Sequence, residues 1–389
     1  MRYADRMARL GTETAFEVLV KARALEAQGR EVIHLEIGEP DFDTPQHIIA
    51  AAQSALEQGF THYGPSAGLP ELRQAIADEV AETRLINVQP EQVVVTPGAK
   101  PIMFYVILAL AQAGDEVIYP NPGFPIYESV IRFVGAQPVP IALREARNFS
   151  LDVNELRDLV NQRTRLIILN SPHNPTGGIL PQDDLKTIAE IAMQQHIPVL
   201  TDEIYSRMLY DEHFHSIASF DGMQDLAIIL DGFSKTYAMT GWRLGYGVMP
   251  IPLADHIARL MTNSNSCSAT FTQRAALAAL QGTQEPVNNM MTEFRRRRDM
   301  FIEGLNAIPG LSCTTPSGAF YAFPNVAAVS PSAQKLADYL LYHGGVASLA
   351  GSDFGLHGEG FIRFSYANSQ ENLRKALDRI ADCVDSFRA

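Results

Sequence analysis

The chain has 389 residues, 46% hydrophobic and 19% charged, with a formal net charge of -13. That length buries a sizeable core and implies two or three domains, or one large domain with an appendage. The acidic balance and the absence of a long basic tract exclude a nucleic-acid binder, because neutralising phosphates requires clustered Lys and Arg.

The N-terminal stretch MRYADRMARLGTETAF has no apolar core of signal-peptide length, which predicts a cytoplasmic address. Residues 15–29 have helical periodicity and stop at a glycine. A short strand in EVIHLEIGEPDFDTP runs into a proline-rich loop, and PQHIIAAAQSALEQG and GLPELRQAIADEVAETR read as helices. From there strands and helices alternate. EQVVVTPG is a buried strand, 101–112 a helix, DEVIYPNPG a strand, PIYESVIRFVG a helix and QPVPIAL a strand. DVNELRDLVN is a helix, TRLIILN a strand, PQDDLKTIAEIAMQQH a helix, and IPVLTDEIY, LAIILDGFSK and GWRLGYGVMP are strands. Continuous Val, Ile and Leu in strands separated by helices indicate a mostly parallel sheet covered on both faces, an α/β fold. After about residue 290 the pattern changes. A long helix (287–307), the stretch GLSCTTPSGAFYAFPN, a helix near 331–343, the strand GEGFIRFSYAN and a final helix suggest a smaller α+β domain. The expected division is an arm at 1–14, a small domain from 15–45 and 290–389, and a large domain at 46–289. No internal repeat is visible.

The longest apolar run, 102–111, is too short to cross a bilayer. Cys267, Cys313 and Cys383 are too widely spaced for a disulfide framework or a metal knuckle. The basic run Arg295 to Arg298 points round most of a helix, so it reads as a solvated helix with one or two structural pairs.

Polar residues gather where the parallel strands end, which is where open α/β sheets bind ligands. Gly98, Ala99 and Lys100 follow VVVT and open a helix, so they offer backbone N–H groups to an anion. Asn174 follows LIILN, Asp202 and Tyr205 follow PVLT, Ser234 and Lys235 follow IILD, and Arg243 comes soon after. Taken singly, Asp202 is a cap or salt-bridge partner, Tyr205 a core tyrosine, Asn174 a turn residue and Lys235 a surface charge. Taken together they form one chemical set. An anion cup with a hydroxyl and an arginine suits a phosphate monoester. A buried carboxylate suits a protonated ring nitrogen, Asn and Tyr suit a phenolate oxygen, and a lysine amine suits an aldehyde. Pyridoxal 5'-phosphate carries all four groups. The chain lacks the glycine fingerprint of a nicotinamide enzyme.

SPHNPTGG, DEIY and GFSKTYAMTGWRLGY resemble the pyridoxal-phosphate-dependent aminotransferases of fold type I, class I/II. GEPDFDTP, YGPSAGLPELRQAIA, PNPGFPIYE, PSGAFYAFP and IRFSYAN match that family's pattern in order, nearly end to end. The resemblance implies a large domain with a mostly parallel seven-stranded sheet and a smaller α+β domain from both chain ends. It implies that Lys235 is the Schiff-base lysine, Asp202 the partner of the ring nitrogen, and Asn174 and Tyr205 the ligands of the 3-oxygen. Ser234, Arg243 and the backbone of Gly98, Ala99 and Lys100 resemble the phosphate cup. Phe124 stands where the family stacks an aromatic ring on the cofactor. Arg363 corresponds to the arginine that grips the substrate carboxylate, and Gly38 lies in a loop touching the same substrate. Tyr63 corresponds to a tyrosine that reaches the neighbouring subunit's phosphate, which implies a homodimer. No metal, membrane or nucleic acid is implied.

The implied activity moves an amino group from an L-amino acid to a 2-oxo acid. The donor stays open between aspartate and neutral or aromatic amino acids. Lys100, His173 and Arg144 are the candidates for gripping a second carboxylate. Phe16 either lines an apolar pocket or packs beneath the N-terminal helix. Two alternatives share the cofactor cage: a C–S lyase, and a non-catalytic cofactor-binding regulator. The regulator needs a DNA-binding module, for which the family pattern leaves no room.

Overall fold

The computed structural model describes residues 1–388. Helix α1 (Thr14–Glu26) leads to strand β1 (Ile33–His34), and α2 (Gln46–Glu57) and α3 (Pro70–Arg84) follow. Pro70 opens α3, where its missing N–H is no loss. The alternating unit then runs β2 (Val93–Thr96), α4 (Lys100–Leu110), β3 (Glu116–Asn121), α5 (Ile126–Val134), β4 (Gln137–Ala142), α6 (Val153–Leu159), β5 (Thr164–Asn170), α7 (Gln182–Gln195), β6 (Val199–Asp202), β7 (Ala227–Gly232) and β8 (Gly245–Val248). Gly135 ends α5 in the left-handed region, and the Asp152 side chain caps α6 by accepting from the Asn154 N–H.

These strands form a seven-stranded sheet in the order β2-β8-β7-β6-β5-β3-β4. Its neighbours are parallel except around β8, which runs antiparallel to both β2 and β7. That reversal positions the site. Gly245, the first residue of β8, pairs with Thr96 and Gly232, the last residues of β2 and β7. Arg243, just before β8, therefore arrives at the same sheet edge as the ends of the parallel strands. Successive residues face opposite sides. Val94, Leu166, Ile168, Leu200 and Leu230 enter one buried cluster, and Val93, Val95, Ile167, Leu169 and Ile229 enter another. Helices cover both faces, which is why the strands read as continuous apolar runs. Helix α4 is apolar almost all round and correspondingly buried at Ile102, Met103, Val106 and Ile107. Each such side chain contributes roughly 1.5–3 kcal/mol of burial free energy.

Helices α8 (Ile251–Ser264) and α9 (Thr270–Gln281) have no counterpart in the sequence reading; α9 packs against α2 and α3. The remaining elements are α10 (Glu285–Ala307), β9 (Tyr321–Ala322), α11 (Ala333–Tyr339), β10 (Val346–Ala347), β11 (Leu349–Ala350), β12 (Ile362–Ser365) and α12 (Gln370–Arg388). β1 pairs with β10, and β11-β12-β9 form a small antiparallel sheet. α1 packs on β10 and β11, so the two chain ends meet. The arginine run on α10 is less solvated than its sequence suggests. Arg297 and Arg298 are buried and pair with Asp41 and Glu293, and with Asp211 and Asp299. No helix among the described residues is long and apolar enough to cross a membrane.

Candidate active site

A cavity of about 900 Å³ opens at the carboxyl ends of the parallel strands. Gly38, Ala99, Lys100, Phe124, Asn174, Asp202, Tyr205, Ser234, Lys235, Arg243 and Arg363 all line it. Gly98 lies beneath Arg243: its φ is +90°, and a Cβ there would collide with the Arg243 guanidinium. Glycine is required on both counts. Tyr63 lies outside the cavity and is 88% exposed.

Asp202 closes β6 and is buried. Tyr127, fully buried on α5, donates to its Oδ2 at 2.6 Å, and the Ile204 N–H donates to Oδ1 at 3.3 Å. Burial pushes the Asp202 carboxyl up to about 6, against the pull of the Tyr127 bond. The next residue points the other way. Glu203, together with Asp231, receives the buried Arg84 guanidinium at 3.0 and 2.7 Å. That network holds α3 to the ends of β6 and β7, behind the cavity.

Lys235 follows β7 and donates through Nζ to the Gly38 carbonyl. Burial lowers its amine to about 8, while Glu39 and Glu13 work to raise it and Arg363 and Arg243 to lower it. The Tyr205 hydroxyl meets the Tyr321 hydroxyl at 2.7 Å, and a Cβ on Gly38 would strike that same Tyr321 oxygen. Gly38 therefore lets the loop after β1 close over the tyrosine pair.

Arg363, on β12, is only 4% exposed. Its Nη1 donates to Asn174 Oδ1 at 3.0 Å and its Nη2 to the Glu36 carbonyl. Its Nε is buried and has no partner among the described residues. The guanidinium lies over the rings of Tyr321 and Phe354, 4.5 and 4.9 Å from their centroids. Its hydrogen bonds go only to neutral acceptors, so the buried positive charge is not neutralised by an ion pair. Arg243, in the left-handed region, donates to the Thr240 carbonyl at 2.8 Å and stands beside the N-terminus of α4.

Of the candidates for a second carboxylate, only Lys100 lines the cavity. His173 is buried outside it with Nδ1 2.8 Å from Thr176 Oγ1, and burial pushes the ring down to about 3. Arg144 is bound to Glu155 at 2.6 Å, away from the cavity. Phe16 lines the cavity and is 58% exposed, so it does not pack beneath its helix. Tyr127 and Tyr321 were not singled out in the sequence. Both sit in apolar runs, PIYES and GAFYAF, where a tyrosine reads as core.

The chain matches the family described as aminotransferase class I and II over residues 30–380. The chain belongs to this family. A probable aspartate/prephenate aminotransferase of Aquifex aeolicus is 40% identical to it, over 99% of each chain. The aromatic-amino-acid aminotransferase 2 of Thermococcus litoralis is 39% identical, over 91% of this chain and 92% of that one. The solved aspartate aminotransferase of Thermus thermophilus with maleate superposes with a TM-score of 0.95 at 36% identity, covering 98% of this chain and all of that one. The protein is thus a pyridoxal-phosphate-dependent aminotransferase of fold type I. The lyase and regulator alternatives are not favoured.

The residues present fit this aminotransferase's cofactor. Asp202 is a buried carboxylate whose neighbours are a neutral hydroxyl and an amide, Lys235 is a cavity amine below its ordinary pKa, and Arg243 faces a glycine-shaped cradle.

Proposed function

We propose that Lys235, Asp202 and Arg363 are the working residues of amino transfer in this cavity. The observation that carries the reading is Arg363, a buried guanidinium with an unpartnered Nε, sharing the cavity with a lysine amine and a buried carboxylate. When bound, pyridoxal phosphate supplies an aldehyde for the amine and a protonated ring that accepts electron density from the substrate Cα.

Asp202 would hold the proton on the ring nitrogen, and Tyr127 fixes the orientation of its carboxylate. Asn174 and Tyr205 would hold the ring 3-oxygen, and Tyr321 orients the Tyr205 hydroxyl. The backbone of Gly98, Ala99 and Lys100, the Ser234 hydroxyl and Arg243 would hold the phosphate, and Phe124 would cover the ring. Arg363 grips the substrate α-carboxylate with two parallel hydrogen bonds, and the loop at Gly38 closes over it. Lys235 Nζ then removes the Cα proton. Its lowered pKa keeps a useful fraction of the amine neutral near pH 8.

The exposed Tyr63 ring reaches the partner's phosphate in a cytoplasmic homodimer; a single-chain mass for the active holoenzyme by light scattering would remove this part. Residues 15–45 and 290–389 form a small domain beside the large one at 46–289, with 1–14 as an arm.

Arg363→Lys tests the central assignment. A point ammonium cannot replace the planar fork. The variant is expected to lose about 100-fold in kcat/KM and to keep its melting temperature within a few degrees. Unchanged kcat/KM would remove Arg363 from the substrate role.

A further inference from the structure

Helix α1 presents Phe16, Leu19, Arg23 and Glu26 to the cavity, at the i, i+3, i+7, i+10 spacing of one helical face. The end nearest the start of the helix is apolar. Ile37 also lines the cavity, from the loop after β1.

Of the three sequence candidates for a second carboxylate, Lys100 alone lines the cavity, and it is already engaged. Its Nζ lies 2.8 Å from Glu13 Oε2 and 5.2 Å from the centre of the Phe124 ring. Glu13 stands at the N-cap of α1, yet its side chain makes no capping bond. Its carboxylate turns into the cavity instead, close enough to act on the Lys235 amine. The other acids of this wall are also bound. Glu39 accepts from the Thr240 hydroxyl at 2.8 Å, Asp41 receives Arg297 at 2.6 Å, and Glu26 receives His34 at 3.1 Å. Arg23 lines the cavity from the exposed side of α1 with no ion-pair partner among the described residues, two turns beyond Phe16 and one beyond Leu19.

We infer that the Glu13–Lys100 pair is a specificity device: it neutralises the lysine that a dicarboxylate would use and, with Phe16, Leu19 and Ile37, selects L-amino acids with large apolar side chains, aromatic ones included, over aspartate and glutamate. An acidic side chain that approaches Lys100 must share its ammonium with Glu13, which sets two carboxylates side by side on one cation. An apolar side chain meets no such conflict and covers the exposed Phe16 ring. The inference rests on the aminotransferase reading of the site given above.

The test uses the holoenzyme in single turnover, without any oxo acid, comparing phenylalanine with aspartate. The wild type is expected to favour phenylalanine at least about tenfold in the second-order rate constant. Glu13→Gln frees Lys100 and is expected to raise the aspartate constant about tenfold, mainly through tighter binding. Phe16→Ala is expected to lower the phenylalanine constant about tenfold more than the aspartate constant, which keeps the test open if Glu13→Gln misfolds. A wild type that favours aspartate, or an unchanged ratio in Glu13→Gln, overturns this inference alone. No reaction with any amino acid overturns the site reading and this inference together.

Discussion

Asp202 carries an electrostatic burden that only its ligand relieves. Its carboxyl sits at about 6 because burial penalises the charge, whereas an unfolded aspartate titrates near 3.8. The folded protein thus binds this proton more tightly than the unfolded chain. The sign follows: stability of the cofactor-free protein falls as pH rises from about 3.8 to 6, and stays lowered above. Asp202→Asn removes the charge while keeping an acceptor for Tyr127. It is expected to stabilise the cofactor-free protein at pH 7.5 by on the order of 1–3 kcal/mol in urea unfolding, and to weaken cofactor retention. A variant less stable than wild type at pH 7.5 would contradict this. That Asn174, Asp202, Tyr205, Ser234, Lys235 and Arg243 share one cavity was legible in the sequence because each follows the end of an apolar strand run or lies just beyond it. Tyr127 and Tyr321 were not, because only the folded geometry separates a hydroxyl that positions Asp202 or Tyr205 from a ring that fills the core.

Strand β1 is two residues long, yet it ties α1 to the floor of the cavity. The His34 ring lies between Glu36 Oε1 at 2.8 Å and Glu26 Oε1 at 3.1 Å. The bond to Glu36 is the main reason its pKa rises to about 9, burial opposing and Glu26 assisting. A raised histidine stabilises fully below its unfolded value of about 6.5, and that contribution is lost as pH climbs towards 9. Because the ring is partly exposed, solvent screening keeps the effect modest. His34→Gln is therefore expected to melt below wild type at pH 6, with the gap closing by pH 9.5. A gap of equal size at both values would show that the imidazolium contributes nothing. At this scale the sequence was readable where periodicity and Gly or Pro breaks agree, as in α3 and α5. It was silent on the direction of β8, because strand direction depends on pairing partners that local pattern does not encode. It left α8 and α9 unassigned.

Across the whole molecule, the sheet edge brings together groups from β2, β5, β6, β7 and the turn before β8, while β12 and the loop after β1 supply Arg363 and Gly38. The family and this edge were visible in the sequence because its motifs are separated and ordered. The α1 wall of the cavity was less so. His173 and Arg144 were candidates by charge alone, and the fold buries one and turns the other outward. Phe16 depended on which face α1 turns to the cavity, a tertiary fact. The central claim is that Lys235 performs amino transfer here. Its most direct test is an absorption spectrum of the purified holoenzyme during titration with single amino acids, beside Lys235→Ala. The wild type is expected to lose its visible pyridoxal band as a pyridoxamine band grows, and to recover it on adding a 2-oxo acid; the variant does neither. A band that persists while ammonia and a 2-oxo acid are released, or a variant that still converts, would contradict the account.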